Sequence, residues 1–253
     1  MRRAMDSQQV APGVHRIHSH DVVNWYVVEH EGRLAMIDAG LPPDWAVFER
    51  VVRSLGRTPA ELSAVVLTHA HVDHTGIAER ARRETGATVY LPDGDRELAA
   101  HQLRSSKSSR NPVHYLGKAA TRSLYWKMMR SGALRSEPIR AFQTYADGDT
   151  LGAVPGSPVA VGTPGHTDGH TAIHFPDRDL LFTGDALVTR NPYTDETGPR
   201  LVSLVATADG DQALASLDRI AATGATTLLP GHGDPWTEGA QEAASLARAA
   251  GHS

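Results

Sequence analysis

Thr68-His-Ala-His-Val-Asp-His-Thr-Gly76 is the stretch of sequence from which the fold and chemistry of this chain can be predicted. Three imidazoles and one carboxylate fall within six consecutive residues, at His69, His71, Asp73 and His74. Residues 64–68 are apolar and β-branched, which predicts a buried strand. Residues 76–86 predict a helix that ends at a glycine. The four side chains therefore belong to a strand-to-helix turn, where a rigid scaffold can present them for chemistry.

The spacing of these side chains indicates metal binding. Neutral imidazole and carboxylate are good ligands for zinc and similar divalent ions. Alternate residues of an extended segment point the same way, so His69 and His71 can bind one ion together. Asp73 and His74 follow where the chain turns, and they can face a second ion. A polar helix-capping turn is the alternative, and it explains a single His-x-His pair better than the complete set.

Length, composition and charge exclude several classes of protein. The 253 residues suffice for one large domain or two small ones, and 40% hydrophobic with 21% charged residues is typical of a soluble globular protein. No apolar run approaches the roughly 20 residues of a transmembrane helix, and the N-terminal residues lack an apolar signal core, so the sequence predicts a cytoplasmic protein. The absence of cysteine excludes disulfides and thiolate ligands. A net charge of −4 argues against a dedicated nucleic-acid binder.

Residues 69–74 resemble the His-x-His-x-Asp-His signature of the metallo-β-lactamase fold superfamily. The family pattern requires a further His, then an Asp, then a last His, each at the end of a strand. His166 meets the first requirement within Thr163-Pro-Gly-His-Thr-Asp-Gly-His170, after a predicted strand over residues 158–162. Asp185 ends a strand that begins at residue 180, and His232 follows a strand over residues 226–229. The resemblance spans roughly residues 13–250.

The resemblance implies two divalent metal ions, zinc in the first instance, with iron or manganese as alternatives. It assigns one ion to His69, His71 and His166, the other to Asp73, His74 and His232, and a bridging role to Asp185. It makes Asp73 a catalytic candidate as well, since its carboxylate can help to move a proton. Two further residues, Asp38 and His170, are implied to support the metal-binding loops without binding metal.

The fold that the resemblance implies is a four-layer αβ/βα sandwich in the α/β (α+β) class, formed by residues 1–253 as a single domain. The alternation of predicted strands and helices over residues 33–91 independently indicates an α/β layout. Residues 101–145 interrupt this alternation. We predict that they form a helical, basic insertion of one or two amphipathic helices.

The predicted insertion carries nine Lys or Arg residues and one acid, hence a local charge of +8 in a chain of net −4. Its apolar residues alternate with the bases, and Tyr125, Trp126 and Arg130 are candidates for a substrate lid. Tyr193 is a further candidate for the same pocket. Such a lid would suit an anionic small-molecule substrate with an apolar part. A solvated basic face, a homodimer contact or a membrane-surface contact would use the same residues.

The activity implied by the resemblance is hydrolysis of an ester, thioester or lactone by a metal-bridging hydroxide. Residues 182–185 and 229–232 are most similar to the glyoxalase-II-like branch. The residues after Asp185 lack that branch's glycine-rich, arginine-bearing element, and Val188 stands where homoserine-lactone hydrolases carry a tyrosine. A single-iron oxygenase similar to the persulfide dioxygenases is the alternative enzyme. A metal-binding protein without turnover is the alternative outside enzymes.

Overall fold

Two β-sheets face each other in the computed structural model, which describes residues 7–101 and 117–252. The described strands are β1 (Gln8–Ala11), β2 (Val14–Ser19), β3 (Val23–His30), β4 (Arg33–Ile37), β5 (Leu62–Val66), β6 (Thr88–Pro92), β7 (Gln143–Tyr145), β8 (Val159–Gly162), β9 (Thr171–Phe175), β10 (Leu180–Gly184), β11 (Val188–Arg190), β12 (Thr197–Arg200) and β13 (Thr227–Pro230). The first sheet contains β1 to β7 in sequential order, antiparallel up to β4 and parallel from β4 onward. The second sheet has the order β13-β10-β9-β8, in which only β10 and β13 are parallel, and β11 pairs separately with β12.

Helices cover the outer faces of both sheets. The described α-helices are α1 (Trp45–Ser54), α2 (Val72–Thr75), α3 (Ala78–Thr85), α4 (Arg96–Ala100), α5 (Ala119–Arg130), α6 (Gly210–Ala222) and α7 (Ala240–Ala250). α1 and α3 pack on the first sheet through a cluster that includes Phe48 and Ala81, and α6 and α7 pack on the second through Leu217 and Ala244. The order helix, sheet, sheet, helix confirms the predicted αβ/βα sandwich. No helix among the described residues is long and apolar enough to cross a bilayer.

Strand β3 shows why a strand between two layers is apolar at almost every position. Trp25 and Val27 face the helices, whereas Tyr26 and Val28 face the second sheet. Because successive side chains of a strand point to opposite faces, a strand with layers on both sides must be apolar at almost every position. The aromatic rings between the two sheets pack edge to face, with Tyr26 and Phe182 at 5.1 Å between ring centroids.

The helix predicted over residues 76–86 is α3, which spans Ala78–Thr85 and ends at Gly86 as expected, but the short helix α2 that precedes it was not predicted. The backbone N–H of Gly76 donates to Gly40 O at 2.8 Å, and the N–H of Ile77 donates to Ala39 O at 3.0 Å. A Cβ at position 76 would lie 2.4 Å from Gly40 O. The glycine therefore brings the chain against the loop after β4, which separates α2 from α3. As a result Asp73 and His74 lie within a short helix instead of an open turn.

The predicted insertion over residues 101–145 contains α5, as expected for an amphipathic helix, but its last residues form β7. This strand pairs in parallel with β6, so residues 143–145 belong to the first sheet. The sequence prediction missed β7 because it has three residues, of which only Tyr145 is buried. Residues 102–116 of the insertion lie outside the described part of the chain.

We expect Phe182→Ala to lower the free energy of unfolding by about 3–5 kcal/mol, because it opens a cavity between the sheets. Phe182 is 1% exposed and packs against the rings of Tyr26 and Phe175. Urea denaturation followed by circular dichroism measures the change. Leu246→Ala on the exposed face of α7 is the control and should cost about 0.5 kcal/mol or less. A loss of the same size in both variants would contradict the assignment of the core.

Candidate metal centre

The candidate ligands meet at one edge of the sandwich, at the ends of strands from both sheets. His69 and His71 follow β5, and Asp73 and His74 lie on α2. The second sheet contributes the others: His166 from the loop between β8 and β9, Asp185 after β10, and His232 after β13. The hydrogen bond from Thr171 N to Thr68 O, at 3.0 Å, joins the two sheets beside these loops.

The first group of possible ligand atoms consists of three imidazole nitrogens. His71 Nδ1 lies 3.1 Å from His69 Nε2 and 2.9 Å from His166 Nε2. Burial, reinforced by the neighbouring imidazoles, holds the pKa of His69 and His166 well below the usual range of histidine. Burial also lowers the pKa of His71, against the opposing effect of nearby carboxylates. Three neutral imidazoles thus direct their nitrogens to one point, as a divalent cation requires.

The second group consists of Asp73, His74 and His232. Asp73 Oδ2 is 3.9 Å from His74 Nε2 and 3.8 Å from His232 Nε2. Each imidazole is oriented by its other nitrogen: His74 Nδ1 donates to Asp38 Oδ2 at 2.9 Å, and His232 Nδ1 donates to Val22 O at 2.6 Å. Both Nε2 atoms therefore point toward the carboxylate.

The electrostatic field at the second group favours a cation. Burial by itself lowers the pKa of His74, but the charges of Asp185, Asp38 and Asp73 outweigh burial and raise this pKa to about 10. The pKa of His232 is raised in the same way, mainly by Asp185 against burial. The raised pKa of both imidazoles shows that the carboxylates favour positive charge at this place.

Asp185 lies between the two groups. Its Oδ2 is 3.4 Å from His166 Nε2 of the first group and 3.1 Å from His232 Nε2 of the second, and its Oδ1 is 3.4 Å from His74 Nε2. Burial raises the pKa of this carboxyl, but the neighbouring His232 and His74 outweigh burial and hold it well below its usual range. A Cβ on Gly231 would lie 2.2 Å from Asp185 Oδ1, so glycine is required beside it.

Unsatisfied buried atoms test whether the site fits a metal. Asp185 Oδ1 and His74 Nε2 are fully buried and have no hydrogen-bond partner, although they are close together. Buried polar atoms normally have a partner, so an ionised oxygen and an imidazole nitrogen left without one indicate room for a further group. Both belong to ligand types that zinc, iron and manganese accept. The residues therefore fit divalent metal binding.

Two residues orient the candidate ligands. Asp38 accepts from His74 Nδ1 and, through Oδ1, from Thr68 N at 2.8 Å. His170 Nε2 accepts from the backbone N–H of Asp185 at 3.0 Å, and its Nδ1 donates to Thr163 Oγ1 at 2.8 Å. Burial lowers the pKa of His170 to about 3, which keeps Nε2 available as an acceptor. Both nitrogens of His170 are thus used within the protein.

Sequence analysis missed three further residues around the site. Tyr145 donates to Leu67 O at 2.6 Å, and Tyr26 donates to Pro230 O at 2.7 Å, so each phenol binds a carbonyl just before a metal-binding loop. The third residue is Asp95, whose buried carboxylate contacts both the 69–71 and the 166–170 loops. The sequence could have indicated Asp95, because it follows β6, which is the neighbour of β5 in the sheet.

The four candidate substrate residues lie around α5. Tyr125 and Trp126 are 44% and 56% exposed, and the guanidinium of Arg130 lies 5.8 Å from the Trp126 ring centroid. Tyr193 is half-buried and packs beside Leu124, and burial raises the pKa of its phenol. Asp73, Tyr125 and Asp185 act in the same direction as burial, so Tyr193 lies near two candidate ligands and near Tyr125, whereas Trp126 and Arg130 are exposed to solvent.

A different face of α5 lies next to the candidate ligands. A cavity of about 40 Å³ is bordered by Leu124 and Lys127 of the helix, by Arg190, and by His232. Asp21 accepts hydrogen bonds from Lys127 and from Arg190 Nη1 at this cavity. Burial raises the pKa of Asp21, but these contacts outweigh burial and lower it to about 2. The cations at the cavity are therefore paired with an ionised carboxylate.

Comparison with known proteins identifies the family. The family model described as "Metallo-beta-lactamase superfamily" matches residues 19–232. A "Probable metallo-hydrolase" of Bacillus subtilis is 26% identical over 243 residues, which cover 90% of this chain and 87% of the relative. A hydroxyacylglutathione hydrolase of Cereibacter sphaeroides is 32% identical over 138 residues, covering 54% of this chain and 39% of the relative.

A metallo-beta-lactamase family protein of Thermus thermophilus has the same fold, with a TM-score of 0.68 and 23% identity over 94% of this chain and 78% of that one. The chain belongs to the metallo-beta-lactamase superfamily, a superfamily of metallo-hydrolases. The sandwich, with its cluster of His and Asp side chains at one edge, agrees with this assignment.

We expect Asp38→Asn to weaken zinc binding by about 10–100-fold, because the amide cannot accept equally well from both His74 Nδ1 and Thr68 N. Competition with a chromophoric chelator measures the dissociation constants of the stripped protein. Asp177→Asn, at an exposed position after β9, is the control and should bind zinc like the unmodified chain. Equal affinity of the two variants would show that Asp38 does not orient a ligand.

Proposed function

We propose that the protein is a dinuclear metal-dependent hydrolase that cleaves an ester, thioester or lactone of a small molecule. One observation carries this proposal. The ionised carboxylate of Asp185 has one oxygen within 3.4 Å of an imidazole from each candidate ligand group, and its other oxygen faces His74 without a hydrogen bond. A carboxylate has two oxygens, so it can contact two ions at once. The proposed ligands are His69, His71 and His166 for one ion, and Asp73, His74 and His232 for the other.

Two divalent ions held by these residues would supply a water acidic enough to ionise near neutral pH and a positive charge opposite a developing oxyanion. The protein's own part is to hold the ligand atoms in place before the reaction. His74 and His232 are fixed through their Nδ1 atoms, and Asp185 is fixed through its backbone N–H. Preorganisation of this kind avoids reorganisation when charge develops in the substrate.

Asp73 is the proposed proton acceptor. Its side chain is 14% exposed, whereas those of His74, His232 and Asp185 are at most 4% exposed. Among these ligands it is therefore the one best placed to exchange a proton with solvent. Ligation remains its first role, and proton transfer by a carboxylate at this site would be an additional function.

The proposed substrate is an anionic small molecule with an apolar part. At the cavity beside His232, Lys127 and Arg190 share one carboxylate, that of Asp21, so the bases exceed the acid by one, and Leu124 offers apolar surface there. Tyr125, Trp126 and Arg130 lie on the same helix but do not line this cavity. We propose that Tyr193 supports α5, because its carbonyl accepts from Thr121 Oγ1 at 2.8 Å.

The relatives support hydrolysis and leave the substrate open. The Cereibacter sphaeroides protein is named a hydrolase of hydroxyacylglutathione, but the alignment covers only 39% of its length. The residues after Asp185 in this chain form β11 and β12, with Arg190 paired to Asp195 and Asp21. We therefore propose the reaction class without assigning glutathione as part of the substrate.

Metal content per chain tests the proposed function most directly. We expect about two equivalents of zinc, or of zinc mixed with iron or manganese, by elemental analysis of protein purified without added metal. Asp185→Asn should weaken both ions together, because the amide cannot bind two cations, and it should abolish hydrolysis in a screen of thioesters, lactones and aryl esters. Two tightly bound ions in the variant would refute the bridging role. One equivalent of iron alone would favour the oxygenase alternative.

Replacing one base at the cavity tests the choice of substrate. We expect Lys127→Gln to raise KM about fivefold for an anionic ester and to change KM little for a neutral ester of the same size, since a partly exposed charge contributes about 1 kcal/mol. Arg248→Gln on α7, which removes a base paired with Asp218, is the matched control. Equal changes of KM for both esters would exclude Lys127 from substrate recognition.

A further inference from the structure

Asp95 connects the two loops that supply the first group of imidazoles. Its Oδ2 accepts from the backbone N–H of Ala70 at 2.9 Å and from Thr167 Oγ1 at 2.8 Å. Its Oδ1 accepts from the backbone N–H of Gly169 at 2.8 Å. Ala70 stands between His69 and His71 in the sequence, and Thr167 directly follows His166. One side chain thus contacts the chain beside all three ligands of the group.

The loops touch closely at the same place. A Cβ on Gly94 would lie 2.8 Å from the Cα of Gly169, and a Cβ on Gly169 would lie 2.6 Å from the backbone nitrogen of Asp95. Neither position can hold a larger residue without a shift of backbone. The two glycines therefore allow the turn after β6 to pack directly on the 166–170 loop, and this contact places the Asp95 carboxylate between the loops.

The donors around Asp95 favour its ionised carboxylate. Asp95 is 2% exposed, and all three contacts are donors, two backbone N–H groups and one hydroxyl. A protonated carboxyl would need an acceptor for its own hydrogen. Burial raises the pKa of Asp95 above the usual range of a carboxyl, and the bonds from Thr167, Ala70 and Gly169 offset part of this effect. Hydrogen bonds to an ionised acceptor are also stronger than bonds between neutral groups.

We propose that Asp95 is a positioning residue that sets the distance between the His69–His71 pair and His166. These ligands come from loops of different sheets, and their nitrogens approach to 2.9 and 3.1 Å. A shift of about half an ångström between the loops would separate them beyond useful ligand geometry. The inference rests on the proposed metal centre and adds to it a residue that binds no metal.

The positioning effect is specific to the first group. Asp73 and His74 lie on α2, and His74 is oriented by Asp38, while His232 is oriented by Val22 O. None of these contacts involves Asp95. Loss of its carboxylate should therefore weaken the three-imidazole group selectively, whereas a residue that merely stabilises the fold would affect both groups alike.

Two variant chains, each with only one complete ligand group, test this selectivity. In His232→Ala only the three-imidazole group is complete, and in His71→Ala only the second group, Asp73, His74 and His232, is complete. Asp95→Asn is added to each full-length chain, and zinc dissociation constants are measured by chelator competition after metal removal. We expect Asp95→Asn to weaken zinc binding about 10–100-fold in His232→Ala and less than about twofold in His71→Ala.

Asp93→Asn is the matched control, because Asp93 lies two residues away in the same turn and pairs only with Arg96 among the described residues. It should leave zinc affinity unchanged in both backgrounds. An equal loss of affinity for Asp95→Asn in both backgrounds, or no loss in either, would overturn the proposal. If Asp95→Asn does not fold, Thr167→Val decides: it removes one donor, and we expect the same selective loss at about three- to tenfold.

The readout is metal binding, so it separates this inference from the proposed reaction. A chain that binds two ions with the expected selectivity but hydrolyses none of the screened esters would support Asp95 and refute the hydrolase. Absence of zinc binding in His232→Ala with Asp95 intact would overturn both the metal centre and the role of Asp95.

Discussion

Asp185 holds a negative charge in a place that water hardly reaches, with 4% of the residue exposed. Burial of a carboxylate is costly unless positive or hydrogen-bonding groups compensate it. Here the compensation comes from His74, His166 and His232, while the backbone N–H of Asp185 is held by His170. These residues come from both sheets, so the loops at the edge of the sandwich can close only in an arrangement that brings them to the carboxylate. Asp38 and Asp95 accept hydrogen bonds from the same loops, and the two tyrosines donate to carbonyls beside them.

The apolar layers make that arrangement precise. Aromatic and β-branched side chains fill the space between the sheets, and well-packed interiors deform little. Strands β5, β10 and β13 therefore end at fixed positions, and Tyr26 and Tyr145 bind the carbonyls where β13 and β5 finish. Glycines stand where loops must approach within van der Waals contact, as Gly231 does beside Asp185. The core thus determines where the polar side chains meet, although it makes no direct contact with a substrate.

The layers and the candidate ligand sets were predicted through the resemblance to the metallo-β-lactamase fold, which rests on short motifs that are local in sequence. Apolar runs and turn residues independently predicted the strands before these motifs. The residues that escaped prediction act over long separations: Ala70 and Asp95 are 25 positions apart, Tyr145 and Leu67 are 78 apart, and Tyr26 and Pro230 are 204 apart. No local periodicity marks such pairs. The separation of α2 from α3 at Gly76 was not predicted for the same reason, because it depends on contact with the loop after β4.

Ligand groups drawn from both sheets have a consequence for the lifetime of the protein in the cell. A cation bound at this edge is held only by the folded chain, so binding adds RT ln(1 + [L]/Kd) to the free energy of unfolding, about 4 kcal/mol when the free ion is at a thousand times its dissociation constant. That amount is a large part of the stability of an ordinary domain. The unfolded fraction of the protein, which proteases can cleave, would therefore rise whenever the supply of the ion falls. The abundance of the protein would then follow metal availability.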